Sequence, residues 1–152
     1  MIERFEQFSL AIAEIHRYWH KIAADEMEKY DLRGTCAIYL TTMHRFPEGI
    51  TSARLGEVCG KDKSDVSRAV NAMEKKGLIV KETNNNNLYR ARLILTEKGK
   101  EAASKVKERA SLAVEFGGRG LSEEDREVFY RALGIIVENL HSISEAGLPK
   151  RK

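Results

Sequence analysis

The chain has 152 residues, 42% of them hydrophobic, and a formal net charge of +3. That is enough for one core, in a single globular domain or one compact domain with appendages, and the near-neutral sum by itself selects no partner. No apolar run reaches the roughly 18 residues of a membrane helix, and MIERFEQF is charged from its third residue without the apolar block of a secretory leader, so a cytoplasmic location is expected.

In chain order, residues 3 to 29 carry Phe5, Phe8, Ile12, Ile15, Trp19 and Ile22 at alternating steps of three and four, which predicts an amphipathic helix. Lys29 to Gly34 breaks it. A second helix is expected from about Thr35 to Arg45 with Ile38, Leu40 and Met43 inward, stopped by Phe46-Pro47-Glu48-Gly49. Ile50 and Thr51 read as a very short strand. A third helix follows over residues 52 to 59, with Leu55 and Val58 inward and Gly60 at its end.

Asp62 is placed to cap the next helix, residues 62 to 77, with Asp65 in a box-like arrangement three positions on. Val66, Val70, Met73 and Leu78 mark its buried side and Gly77 its end. The period then changes to two. Residues 79 to 82 and 88 to 95 read as strands joined by a turn at Thr83 and Asn84 to Asn87, with Arg90 and Arg92 sharing a face of the second strand.

Thr96 opens a long helix to about Phe116 whose inner side relies on Ala102, Ala103, Ala110 and Ala113. Gly117-Gly118-Arg119-Gly120 interrupts it. Leu121 to Asp125 supplies a cap and an acidic first turn for a last helix. There Phe129, Leu133, Ile136, Leu140 and Ile143 form a stripe, widened by Ile135 and Val137, and the terminal PKRK is expected to fray.

The fold class expected is mainly α: a winged helix-turn-helix core with a short β-hairpin wing, flanked by N- and C-terminal dimerisation helices. The divisions are residues 1–33 for the N-terminal dimerisation helix, 34–99 for the DNA-binding lobe and 100–152 for the C-terminal dimerisation helices, all in one compact chain. Charge distribution agrees with a polyanion partner. Residues 61 to 92 hold eight basic against four acidic side chains, a local +4, leaving −1 for the rest.

A helix enters the major groove of duplex DNA when its free face offers donors while its other face is braced by a neighbour. Lys63, Ser64, Ser67, Arg68 and Asn71 lie on the free side of the 62–77 helix, and with Arg90 and Arg92 they are the candidate DNA-binding residues. Any amphipathic surface helix has a polar face, so the paired arginines and the local charge carry the distinction. The apolar stripes at both chain ends predict a homodimer, because pairing them across a two-fold axis buries them and sets two reading helices about 34 Å apart. The alternative is that the two stripes pack on each other within one chain.

The run ITSARLGEVCGKDKSDVSRAVNAMEKKGLIVK, with the hairpin ending LILTEKGKEA, resembles the core of the MarR family of bacterial transcription regulators. Its most specific pieces are Val66-Ser67-Arg68, Glu74 to Ile79 and Leu95-Thr96-Glu97-Lys98-Gly99, and the likeness covers nearly the whole chain. The resemblance implies a homodimeric winged-helix protein on a palindromic operator, usually a repressor released by a small molecule or an oxidant. Members commonly carry Asp-x-Arg in the wing, where this chain has Asn87 and Tyr89; Arg90 or Arg92 is the candidate substitute, and the asparagines themselves could meet minor-groove acceptors. Gly56 stands where Ala is more usual, and is expected to loosen the supporting helix by up to about 1 kcal/mol.

The resemblance also implies an effector site between the dimer helices and the DNA-binding lobe. His16, Trp19, His20, Tyr39 and His44 are the candidates, as aromatic and imidazole groups that could hold an aromatic or anionic molecule; the bland alternative is that they pack the core. His16 and His20, four apart, have chelating spacing that His44 or Cys36 could extend, but no carboxylate is fixed beside them and no metal is assigned. Cys36, in a first helical turn, is the candidate redox residue, since the helix dipole would lower its thiol pKa. Cys59 reads as a small buried hydrophobe. Two thiols make neither a disulfide framework nor a four-ligand zinc site.

The expected function is thus sequence-specific recognition of double-stranded DNA. A winged-helix protein-interaction module using the same basic face is the alternative. G-x-S-x-G, P-loop and H-E-x-x-H motifs are absent from the sequence, so the reading is not enzymatic, and it requires no cofactor and no membrane.

Overall fold

The computed structural model describes residues 2–83 and 90–149. In chain order these form α1 (Ile2–Glu28), α2 (Cys36–Met43), β1 (Ile50–Thr51), α3 (Ser52–Cys59), α4 (Lys63–Lys75), β2 (Ile79–Glu82), β3 (Arg92–Leu95), α5 (Glu97–Gly117) and α6 (Glu123–Ala146). The expected Asn84–Asn87 turn, Leu88 and Tyr89 lie outside the described residues, as do the last three residues of the PKRK tail. The chain divides into two compact units, Met1–Ser111 and Leu112–Lys152.

In the first unit the three strands make an antiparallel sheet in the order β1-β3-β2. Ile50 pairs with Leu93 and Thr51 with Arg92, while Ile79 to Glu82 run opposite Leu95 to Arg92. Period-two alternation places Leu93 and Leu95 inside and Arg92 outside. β3 is shorter than the expected strand, and Arg90 falls before it, so the two arginines are not neighbours on one strand face.

The core sits where α2, α3, α4 and the sheet converge. Met27, Tyr39, Leu40, Leu55, Met73, Leu78, Leu93 and Val106 have at most about one-fiftieth of their surface exposed. α2 corrects one expectation: Ile38 faces outward and Tyr39 inward, because CAIYL is apolar at every position and only its neighbours choose the buried side. On α5, Ala102, Ala103 and Val106 are buried whereas Ala110 and Ala113 are half-buried. Their small size lets the helix approach closely, and Gly99 carries this furthest, since a Cβ there would overlap the Leu78 carbonyl oxygen.

In the second unit, Gly118 ends the α5 ladder by donating its N–H to Val114 O, and Arg126 donates to Gly118 O at 2.8 Å. The arginine lies so close that any Cβ on Gly118 would press on its guanidinium. Ser122 caps α6 in a reciprocal box: its Oγ accepts from Asp125 N and Asp125 Oδ2 accepts from Ser122 N. α6 has no buried residue, and Phe129, Ile136 and Leu140 lie open. The first half of α1 is equally uncovered, with Phe5 69% exposed.

Candidate nucleic-acid interface

The interface is built from α3 upward. Thr51 Oγ1 accepts from Arg54 N at 3.2 Å and starts α3; Gly60, at φ 62°, ends it in the left-handed region. Lys61 N then donates to Gly56 O at 2.9 Å, folding the turn back over the helix. A Cβ on Gly56 would stand 3.0 Å from Lys61 O and 3.1 Å from Val66 Cγ2. The glycine therefore admits a close helix–turn–helix approach, in which an alanine Cβ would crowd Lys61 O and Val66 Cγ2.

Asp62 Oδ1 accepts from Asp65 N at 2.8 Å and caps α4, as its sequence position implies. Asp65 does not complete a box. Its Oδ2 instead accepts from the buried Tyr39 Oη at 2.6 Å, and its Oδ1 stands 3.8 Å from Arg68 Nη2. Val66, Ala69, Val70 and Met73 bury the inner side of α4, and Lys63, Ser64, Ser67, Arg68 and Asn71 are exposed on the other. Lys81, from β2, donates to Asn71 Oδ1 at 3.4 Å and pairs with Glu74 at the same distance.

The C-terminal end of α4 is pinned from two sides. Lys76 Nζ pairs with Asp31 Oδ2 at 2.6 Å, and the Lys76 carbonyl accepts from Lys98 Nζ at 2.9 Å. Gly77, at φ 72°, turns the chain into β2 while Thr96 Oγ1 donates to its carbonyl at 2.6 Å. On the hairpin, Arg90 is exposed, and Arg92 Nη1 donates to Glu48 O at 3.2 Å, so Arg92 sits at the base of the wing.

None of the five effector candidates lines the pocket of about 290 Å³ found among the described residues. Tyr39 has none of its surface exposed and belongs to the core, which corrects its reading as a lining residue. His44 is half-buried at the end of α2, Trp19 and His20 are half-buried on α1, and His16 is exposed. The His16 and His20 rings meet edge to face with centroids 4.1 Å apart, and burial, followed by His16 and Lys61, lowers the His20 pKa. Among the described residues no group of three or more His, Cys, Asp or Glu could hold a metal ion. That pocket opens between the α1–α2 connection and α4, lined among others by Asp31, Arg33, Cys36, Asp65 and Arg68.

Cys36 reverses its expectation. It is 2% exposed, and burial first, then Asp65, pushes its thiol up to about 11, outweighing the lowering by Arg33. Cys59 is half-buried rather than buried, with Sγ 3.4 Å from Thr42 Oγ1. Sequence reasoning missed the roles of Tyr39 and Lys81, because no local pattern tells which residue of another element meets Asp65 or Asn71.

A braced helix with an open polar ridge, a tight turn before it and an antiparallel hairpin after it define a winged helix-turn-helix protein. Residues 30–87 match the MarR family model. A MarR transcriptional regulator from Methanosarcina mazei Go1 has a similar structure at 25% identity, with 91% of this chain and 92% of that one covered and a TM-score of 0.79. A Listeria monocytogenes protein assigned as a MarR family transcriptional regulator, solved in complex with a 26mer DNA, is similar at 26% identity over 93% and 96% of the two chains, TM-score 0.78. The uncharacterized HTH-type transcriptional regulator YybA of Bacillus subtilis (strain 168) is 26% identical over 129 residues, 85% of each chain. Over residues 30–87 the chain is similar to the MarR family, and its fold is that of the MarR-type winged-helix transcriptional regulators it resembles. No helix among the described residues is long and apolar enough to cross a membrane.

Proposed function

We propose that the chain is a homodimeric, cytoplasmic regulator that binds duplex operator DNA sequence-specifically and represses until a small-molecule effector releases it, without catalysis. The open ridge of α4 carries this reading: Ser67, Arg68 and Asn71 face away from the core formed by Val66, Val70 and Met73. Arg68 and Asn71 offer donors to base edges, Lys63 and Ser64 stand near the helix N-terminus where phosphate is favoured, and Arg90 and Arg92 serve the wing. The DNA complex of the Listeria relative supports the partner.

Residues 34–99 are the reading lobe in this account, and residues 1–33 and 100–152 hold the dimer. The support is apolar area left open in one chain: Phe5 and Ile15 on α1, Phe129, Ile136 and Leu140 on α6. A second copy covering such stripes aligns two α4 helices on one face of a duplex.

Arg68→Ala tests the reading helix. On a duplex selected from a random-sequence pool, it should cost about 1 to 3 kcal/mol, while losing one wing arginine lowers the salt slope by about one phosphate contact. Wild-type affinity in Arg68→Ala overturns the assignment, and absence of duplex binding at low salt favours a protein-interaction module. Screening aromatic acids, zinc and peroxide for release of the bound duplex identifies the effector class.

A further inference from the structure

A side chain with no exposed surface reaches the reading helix. Tyr39 lies wholly inside α2's packing surface, yet its Oη donates to Asp65 Oδ2 at 2.6 Å across 26 residues of sequence. Asp65 occupies the first turn of α4, three positions before Arg68, so the two side chains are helix neighbours. A carboxylate and a guanidinium at that spacing can close to about 2.7–2.9 Å. Here the two make only a long ion pair, Asp65 Oδ1 to Arg68 Nη2 at 3.8 Å, and the arginine remains 67% exposed. The phenol is a dependable donor, because burial and the adjoining carboxylate raise its pKa above the usual tyrosine range.

The tie has a mechanical consequence. Tyr39's ring is locked among the core residues, so its hydroxyl is a fixed point. Asp65, only a quarter exposed, takes its orientation from that point rather than from the mobile arginine beside it. With the hydroxyl removed, the nearby cation becomes the carboxylate's natural partner, and an Arg68 neutralised by its own helix has fewer donors left for nucleic acid.

We propose that Tyr39 is a positioning residue for DNA reading: its hydrogen bond restrains Asp65 and so keeps Arg68 open. This rests on the reading of α4 given above, and the test separates the two. The full chain and its variants are titrated against a labelled duplex selected by the wild-type protein from a random-sequence pool, with thermal midpoints measured alongside. Tyr39→Phe keeps the ring, and weakens binding by about threefold to tenfold. Asp65→Asn has no charge with which to claim Arg68, and binds at least as tightly as wild type. The Tyr39→Phe/Asp65→Asn double variant binds like Asp65→Asn alone, a recovery that mere damage to the core would not allow.

On an Arg68→Ala background, Tyr39→Phe changes affinity by less than about twofold, as expected when one interaction is shared. Tyr39→Phe binding like wild type, a double variant as weak as Tyr39→Phe, or Asp65→Asn weaker than wild type each defeats the proposal. Unchanged binding by Arg68→Ala alone instead defeats the assignment of α4. Should Tyr39→Phe not fold, the Asp65→Asn comparison still decides.

Discussion

Gly99→Ala sets helix propensity against packing, and the structure decides which prevails. Gly99 is buried in the first turn of α5, where a Cβ would overlap the Leu78 carbonyl oxygen and lie 3.1 Å from Leu95 Cδ2. That carbonyl is held by Thr96 N at 3.0 Å, while Thr96 Oγ1 binds Gly77 O at 2.6 Å and receives Gly99 N at 3.1 Å. Alanine in a helix is favoured over glycine by about 0.8–1 kcal/mol. Against it stand overpacking, about 1–3 kcal/mol, and about 1 kcal/mol for a backbone hydrogen bond pushed out of geometry. The net loss is about 1–3 kcal/mol, and 2 kcal/mol lowers Tm by roughly 4–8 °C in a chain of this size. Urea unfolding followed by far-UV circular dichroism, at one protein concentration because self-association shifts the midpoint, measures it. Gly117→Ala, with no neighbour within 4 Å of the added carbon, is the control and changes stability by at most about 1 kcal/mol upward. A Gly99→Ala protein unfolding at or above the wild-type midpoint refutes the claim that the start of α5 is seated on the α4–β2 corner.

Glu26 is 2% exposed and pairs with Lys29 at 2.7 Å and Arg109 at 3.4 Å, yet its Oε1 is buried without a hydrogen-bond partner. Since both cations are half in solvent and can rehydrate, Glu26→Met should hold or raise stability by about 1 kcal/mol, read as the urea midpoint. Cys36, with its thiol at about 11, should alkylate far more slowly than Cys59 near pH 8, and mass spectrometry after timed iodoacetamide treatment orders the two sites. The Ser122 hydroxyl, then its N–H, holds the Asp125 carboxyl below the usual carboxylate range, so this stabilisation is present above about pH 4 and lost as pH falls through the lowered value. Ser122→Ala should abolish that pH dependence and fray α6, seen as a smaller helical signal lost on acidification. Leu140→Glu, placing a charge on the open stripe of α6, should halve the mass found by sedimentation if that stripe joins two copies.

The reading of the helix-turn-helix from sequence succeeded where a local rule has one solution. Asp62 can only cap α4, Gly60 and Gly77 take left-handed conformations that side chains resist, and Val66, Val70 and Met73 share one face at helical spacing. The same local rules misassigned Ile38 and Tyr39, because the run CAIYL at the start of α2 has no charged residue to mark which side is buried. They also made Asp65 half of a capping box, although a carboxylate near a cap has no reason to stay there when a buried phenol offers a shorter bond.

Spacing along the chain therefore determined the elements, their ends and the ridge of α4 that Arg68 and Asn71 occupy. Tertiary structure alone decided how that ridge is held, by Tyr39 under Asp65 and Lys81 against Asn71, as it decided the Leu78 carbonyl over Gly99 and the upward shift of the buried Cys36 thiol. The division follows the range of the forces. Caps and turns join residues within a few positions, whereas desolvation and side-chain partnership depend on which distant segments the core brings together.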